Sequence, residues 1–138
     1  MSDPFHLERF VEAQAPIYDR ALAEIRAGAK RSHWMWFIFP QVAGLGFSPM
    51  AQAYAISGLP EARAYLAHPE LGPRLIASAQ AAVAVVGRGA REVFGSPDDM
   101  KFRSCMTLIA HASSEPVFRQ ALARYFDGAE DPLTVAKL

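Results

Sequence analysis

The segment from residue 32 to residue 41 places polar side chains inside the most aromatic stretch of the chain. Its sequence, SHWMWFIFPQ, holds both tryptophans of the protein, and helical spacing puts His33 and Trp36 on one face. A planar ligand can stack on an indole ring and form hydrogen bonds with an imidazole and with the Gln41 amide. The pattern therefore predicts that His33, Trp36 and Gln41 line a binding cleft. The alternative is that this aromatic segment only fills the core, because large aromatic side chains dominate protein interiors.

A second group of polar residues follows Asp98, where a helix is predicted to begin. Helical spacing places Lys101, Ser104 and His111 on one face, with Asp98 one turn before Lys101. Such a stripe could form a phosphate-binding or hydrolytic wall, and we take Lys101 and Ser104 as candidate ligand-binding residues. The alternative is a solvated face, whose Asp98–Lys101 ion pair would contribute roughly a few tenths of a kcal/mol.

Ser48 is the remaining candidate ligand-binding residue, and it follows the loop Gly44-Leu45-Gly46. It precedes Pro49, and a capped helix N-terminus after glycines can present backbone N–H groups to an anion. The alternative is an ordinary loop, since the segment lacks the G-x-G-x-x-G pattern and no predicted strand precedes it.

The sequence predicts neither a metal site nor a cofactor. The histidines at positions 6, 33, 68 and 111 do not share metal-ligand spacing. Cys105, the only cysteine, falls on an apolar helix face and is predicted to be a buried, inert thiol. Because no nucleophile–base motif is present, the sequence leaves open whether the protein is an enzyme.

Composition predicts an all-α fold for the elements that position these residues. The 138 residues include 25 Ala against 8 Val, 6 Ile and 2 Thr, and alanine favours helices whereas β-branched residues favour strands. Boundary residues indicate about eight or nine short helices in a single domain over residues 1–138, in orthogonal or superhelical packing around the aromatic segment. Predicted caps are Ser32, Ser96 and Asp131, and the prolines predicted to begin helices are Pro4, Pro16, Pro49, Pro60, Pro97, Pro116 and Pro132.

Charge and hydropathy indicate which classes of partner the protein could bind and in which compartment it is expected. Fourteen Lys and Arg balance fourteen Asp and Glu, which disfavours nucleic-acid binding; Arg26, Lys30 and Arg31 would have to carry it. The longest apolar runs have six residues, far short of the ~20 that a membrane span needs. The charged N-terminal region lacks a signal segment and one cysteine fits a reducing compartment, so a cytoplasmic location is expected.

The aromatic segment, together with Gly44-Leu45-Gly46 and Ser48, resembles the signature of a bacterial family called domain of unknown function 1810. The resemblance covers nearly the whole chain and implies a single small, mainly α-helical domain, but no activity, because the family is uncharacterised. Cys105 stands where a second serine is common, and Ile109 where an aromatic residue is expected. Some members are called calpastatin, yet that inhibitor is a long, polar, disordered chain, whereas this one is compact and apolar. Further matches are Tyr54-Ala55-Ile56, Glu61-Ala62, Tyr65-Leu66, His68-Pro69, Leu71-Gly72, Arg74-Leu75, Phe94-Gly95, Asp98, Lys101, Ser104 and Met106-Thr107-Leu108.

Two functions from different classes fit these observations. The first is a domain that binds or processes a planar, anionic or nucleotide-derived small molecule, in a cleft between the aromatic segment and the helix start at residues 98–104. The second is a non-catalytic interaction module or homodimer that uses an exposed aromatic patch. Convergence of His33, Trp36, Gln41, Lys101 and Ser104 on one concave surface would favour the first function.

Overall fold

The chain is built from helices, as its composition predicts. A computed structural model describes residues 3–138 and contains ten helices in that range, of which four are only four or five residues long. These short turns account for the excess over the expected eight or nine helices. The helices are α1 (Glu8–Gln14), α2 (Tyr18–Arg26), α3 (Met35–Ile38), α4 (Pro49–Ala53), α5 (Leu59–Ala67), α6 (Leu71–Ala84), α7 (Ala90–Phe94), α8 (Asp98–Ala112), α9 (Pro116–Phe126) and α10 (Pro132–Val135).

Proline marks the start of four helices, because its fixed φ angle suits the first turn and its missing N–H costs no helical hydrogen bond there. Pro49, Pro60, Pro116 and Pro132 occupy the first or second position of α4, α5, α9 and α10. The predicted start of α8 is wrong by one residue. Pro97 is the N-cap of α8, so Ser96 lies outside the cap position that the sequence assigned to it.

Helix α8 lies at the centre of the packing. It contacts α3, α5, α7, α9 and α10. Between positions 102 and 110, only Arg103 escapes burial. Cys105 is fully buried, as predicted, and burial raises the pKa of its thiol well above the ordinary value, which keeps it protonated and unreactive.

The aromatic segment packs directly against α8. The centre of the Phe39 ring lies 4.9 Å from the centre of the Phe102 ring and 6.0 Å from the centre of the Phe94 ring, in edge-to-face geometry in both cases. Edge-to-face contacts direct the positive ring edge at the negative ring face and add roughly 0.5–1.5 kcal/mol per pair to the gain from burial. The core interpretation of this segment is therefore correct for Met35, Phe37, Ile38 and Phe39, which are all buried.

The buried Gln14 side chain provides a hydrogen bond that the short helix α3 cannot make internally. The Gln14 amide donates to the Phe37 carbonyl oxygen at 2.7 Å and to the Tyr65 hydroxyl at 2.9 Å. Helix α3 has only four residues, so its carbonyl groups have few intrahelical donors available. Gln14 thereby links α1 and α5 to the aromatic segment.

Replacement of Gly72 by alanine is expected to destabilise the junction between α5 and α6. A Cβ atom at Gly72 would lie 2.0 Å from the Leu66 carbonyl oxygen, so the two helices would have to separate. We expect Gly72→Ala to lower the free energy of unfolding by about 3 kcal/mol, measured by chemical denaturation. Gly89→Ala is the matched control, because the nearest atom to its Cβ would be 3.6 Å away; equal losses in both variants would contradict the close approach.

Candidate functional site

Glu24 fixes the beginning of the aromatic segment. Its carboxylate accepts hydrogen bonds from the backbone N–H groups of Arg31 and Ser32, from the Ser32 hydroxyl and from the Trp34 indole N–H, at 2.7–2.9 Å. Partial burial raises the pKa of Glu24, but these four hydrogen bonds outweigh burial and hold the pKa at about 2. The predicted capping role of Ser32 is wrong, because its hydroxyl binds Glu24 and Trp34 is the N-cap of α3.

Pairing between two distant chain segments fixes Gln41 at the other end of the aromatic segment. The Ile56 N–H donates to the Gln41 carbonyl oxygen at 2.8 Å, and the Ala43 N–H donates to the Ile56 carbonyl oxygen at 2.7 Å. The Gln41 side-chain amide forms no hydrogen bond with any residue in 3–138, and the side chain is half-buried. The amide is therefore available to a ligand.

Lys101 extends from the first turn of α8 across an indole ring. Its ammonium nitrogen lies 5.1 Å from the centre of the Trp36 ring and 3.6 Å from a carboxylate oxygen of Asp98, which confirms the expected ion pair. The other oxygen of Asp98 lies 2.8 Å from the Lys30 ammonium, and the Lys30 side chain is only 8% exposed. Lys30 is therefore paired with Asp98 and nearly buried, so it is not free to bind nucleic acid. Of the three basic residues considered for that role, only Arg26 and Arg31 remain.

A polar group that the sequence did not single out surrounds Asp131. One carboxylate oxygen, Oδ2, accepts hydrogen bonds from the Ser104 hydroxyl at 2.8 Å and from the Thr134 hydroxyl at 2.6 Å. The Asp131 backbone N–H donates to the Thr107 hydroxyl at 2.9 Å. Asp131 occupies the N-cap position of α10, as expected, but its side chain does not cap that helix.

A cleft of about 350 Å³ lies between the loop after the aromatic segment, the start of α8 and the start of α10; we call it the α8 cleft. Four of the six candidate residues line it, namely Gln41, Ser48, Lys101 and Ser104. The Ser48 hydroxyl also caps α4 by accepting from the Ala51 N–H at 3.1 Å. The remaining lining residues are Leu45, Gly46, Phe47, Ala51, Pro97, Met100, Asp131 and Leu133.

The two other candidates differ in their placement. Trp36 does not line the α8 cleft, but it is half-buried beneath Lys101, which does. His33 is exposed and is not part of the cleft lining. Its predicted face shared with Trp36 does not form, because α3 begins at Met35 and His33 lies before the helix.

The rim of the α8 cleft is apolar and open to solvent. The exposed fractions are 81% for Phe47, 67% for Leu133 and 45% for Met100. Apolar walls around a few convergent polar groups are typical of small-molecule sites. The α8 cleft therefore combines an apolar rim with the polar groups of Gln41, Lys101 and Asp131.

Ser104 and His111, the hydroxyl and the imidazole of the predicted polar stripe, do not meet in the α8 cleft. Ser104 is 4% exposed, and its hydroxyl lies 2.8 Å from Asp131 and 3.0 Å from the Met100 carbonyl oxygen. His111 lies outside the cleft lining and pairs with Glu130 at 2.5 Å. Within residues 3–138, no three His, Cys, Asp or Glu side chains form a group that could hold a metal ion. In the same range, every helix is too short or too polar to cross a membrane.

Comparisons with known proteins give a family and a fold. The family model "Protein of unknown function (DUF1810)" matches residues 4–138. The crystal structure of the conserved hypothetical protein Rv1873 from Mycobacterium tuberculosis matches with a TM-score of 0.97 and 54% sequence identity, over 99% of this chain and 98% of that chain. None of the curated proteins is significantly similar to the chain.

Glu24→Gln is expected to loosen the aromatic segment, because it removes the charge that stabilises the folded chain at neutral pH. The pKa of Glu24 is about 2 in the folded chain against an ordinary value of 4.5, so its carboxylate stabilises the fold fully above that ordinary value. This contribution is lost as the pH falls toward about 2. We expect Glu24→Gln to lower the free energy of unfolding by about 1–2 kcal/mol at neutral pH.

Denaturation at several pH values checks this expectation. The stability difference between the wild type and Glu24→Gln should shrink as the pH falls below the ordinary pKa of a glutamate. Glu12→Gln is the control, because Glu12 is exposed on α1. A stability difference that stays constant with pH would show that the charge of Glu24 is not responsible.

Proposed function

We propose that this chain, which belongs to the DUF1810 family of proteins of unknown function, binds a small planar anionic molecule in the α8 cleft. The main support for the proposal is that Gln41, Ser48, Lys101 and Ser104 all line one concave surface. The sequence predicted Gln41 from the aromatic segment, Lys101 and Ser104 from one helix face, and Ser48 from a capped helix N-terminus. The cleft volume of about 350 Å³ lies within the range of about 300–1,000 Å³ that is common for ligand sites.

The charges around Lys101 support an anionic group on the ligand. Lys30 and Lys101 share the single carboxylate of Asp98, and the carboxylate is closer to Lys30, at 2.8 Å, than to Lys101, at 3.6 Å. The three groups therefore carry a net charge of about +1 when all are ionised. Lys101 lines the cleft and Lys30 does not. A carboxylate or phosphate placed beside Lys101 would balance this local charge and would use the donors of the Lys101 ammonium.

The apolar rim supports a planar body. Phe47, Met100 and Leu133 are partly or largely exposed, and large exposed apolar groups clustered at a concave surface are a common mark of a binding site. An aromatic ring gains from contact with such side chains through burial and, on Phe47, through stacking. Nucleotide-derived metabolites and aromatic carboxylates both belong to this class, and a cytoplasmic location would suit either.

The exposed rim also favours a second candidate function, a homodimer interface. Trp34 cannot contribute, because it is fully buried, so the exposed ring of such a patch would be Phe47. Light scattering separates the two functions. A dimer that dissociates in Phe47→Ser without any effect of small molecules would favour the interface, whereas a monomer leaves the rim to a ligand.

Binding of para-ethylbenzoate and of its neutral counterpart para-ethylbenzamide tests the role of Lys101. We expect the carboxylate probe to bind about 5-fold more tightly than the amide, because only the carboxylate forms a charge-assisted contact with Lys101. NMR of the two indole N–H groups provides the measurement. The Trp36 signal should shift with saturation, whereas the signal of Trp34, which donates to Glu24, should stay in place.

The substitution Lys101→Gln should abolish the preference for the carboxylate probe. Arg20→Gln is the matched control, because it removes the same charge from an exposed position of α2. If neither probe shifts the Trp36 signal, or if both substitutions have the same effect, the proposal of an anion site at Lys101 is wrong.

A further inference from the structure

Asp131 is a nearly buried carboxylate in the α8 cleft, and it lacks a cationic partner. The residue is 7% exposed, and none of the ion pairs in residues 3–138 includes it. A carboxylate removed from water is costly unless hydrogen bonds and an opposite charge compensate it. The two hydroxyl groups of Ser104 and Thr134 supply hydrogen bonds but no charge.

The existing hydrogen bonds use only half of this carboxylate. Both hydroxyl groups donate to Oδ2, and no donor in residues 3–138 reaches Oδ1. Although Oδ1 has no protein donor, it is not completely sealed from solvent. Asp131 lines the α8 cleft, which is the side from which a cation could approach this carboxylate. A purely structural role, in which Asp131 anchors α10 to α8, explains the contacts of Oδ2 but leaves Oδ1 unused.

The nearby cations within residues 3–138 form no ion pair with Asp131. The Arg103 guanidinium donates instead to the Ala129 and Glu130 carbonyl oxygens. Lys101 also lines the cleft, but its ammonium pairs with Asp98 and lies over the Trp36 ring. The cleft therefore presents a cation held by other partners and, separately, a carboxylate with a free oxygen. Opposite charges kept apart in one cleft are complementary to a ligand that carries both signs.

We propose that Asp131 binds an ammonium or amidinium group, so that the ligand of the α8 cleft is a zwitterion with its anionic group at Lys101. This inference rests on the proposed function and names the ligand class: a planar or apolar body with a carboxylate or phosphate and a separate cationic nitrogen. Ser104 and Thr134 act as positioning residues, because their hydroxyls hold Oδ2 and leave Oδ1 without a protein donor.

Two pairs of isosteric probes test the inference on the unmodified protein. The compound para-(aminomethyl)benzoate carries an ammonium where para-ethylbenzoate carries a methyl group, and the meta isomers provide a second spacing between the charges. We expect the better aminomethyl isomer to bind about 10-fold more tightly than its ethyl counterpart, as measured by the same NMR titration. Because this comparison requires no substitution, it does not depend on whether a variant folds.

A variant then assigns the gain to Asp131. The substitution Asp131→Asn keeps an oxygen acceptor but removes the charge, and it should abolish the preference for the aminomethyl probes. Asp127→Asn is the matched control, because Asp127 is exposed and asparagine tolerates its left-handed backbone conformation. This control should retain the full preference.

The outcomes separate this inference from the proposed function. If para-ethylbenzoate binds through Lys101 but neither aminomethyl isomer binds more tightly, the zwitterion inference is overturned while the anion site stands. The inference is also overturned if the aminomethyl preference survives in Asp131→Asn. If no probe of the set binds in the cleft, both proposals fail together.

Discussion

Trp34 is completely buried, and Glu24 accepts the hydrogen bond that its indole N–H would otherwise form with water. A buried N–H group without an acceptor costs about 1–3 kcal/mol, so this contact decides whether the aromatic segment can enter the core. The same carboxylate binds the N–H groups of Arg31 and Ser32. The chain therefore enters the aromatic segment in one orientation, and the Phe39 ring is directed at α8.

The geometry of the α8 cleft follows from this anchoring. Lys30 lies just before the anchored residues, and its ammonium reaches Asp98 at 2.8 Å, which ties the start of α8 to the aromatic segment. That placement brings Lys101 over Trp36. The packing of the aromatic segment against α8 thus determines where Lys101 lies. The pairing of Ile56 with Gln41 then places the following loop on the other side of the α8 cleft.

Much of the fold can be predicted from short stretches of sequence, because the helix preferences of proline and alanine depend mainly on the neighbouring residues. Alanine-rich segments predict the all-α class, which the structure confirms, and proline at the first helical turn predicts the starts of α4, α5, α9 and α10. The same rule is wrong for Pro4 and Pro16, because α1 begins at Glu8 and α2 at Tyr18. Lys101 and Ser104 could be paired from sequence because both lie on one regular helix, α8, where spacing determines direction. His33 could not be placed in this way, since α3 is too short to carry a pattern and begins two residues later.

Asp131 shows what sequence reasoning cannot supply. Its position before Pro132 indicates a helix cap, and a cap is a sufficient local explanation for an aspartate. Its actual partner, Ser104, is 27 residues away, and only the packing of α10 on α8 brings the two together. Burial and a missing counter-ion are properties of the folded chain, so no spacing rule could have revealed them.

Methyl NMR of labelled methionines reports directly on ligand binding in the α8 cleft, because one methionine lines this cleft and two others lie in the core. Met100 is part of the cleft, whereas Met35 and Met106 are almost completely buried elsewhere. On titration with para-(aminomethyl)benzoate, we expect a saturable shift of the Met100 methyl signal while the Met35 and Met106 signals stay unchanged. A Met100 signal that does not respond, or that moves only together with the two core signals, would contradict a ligand site in the α8 cleft.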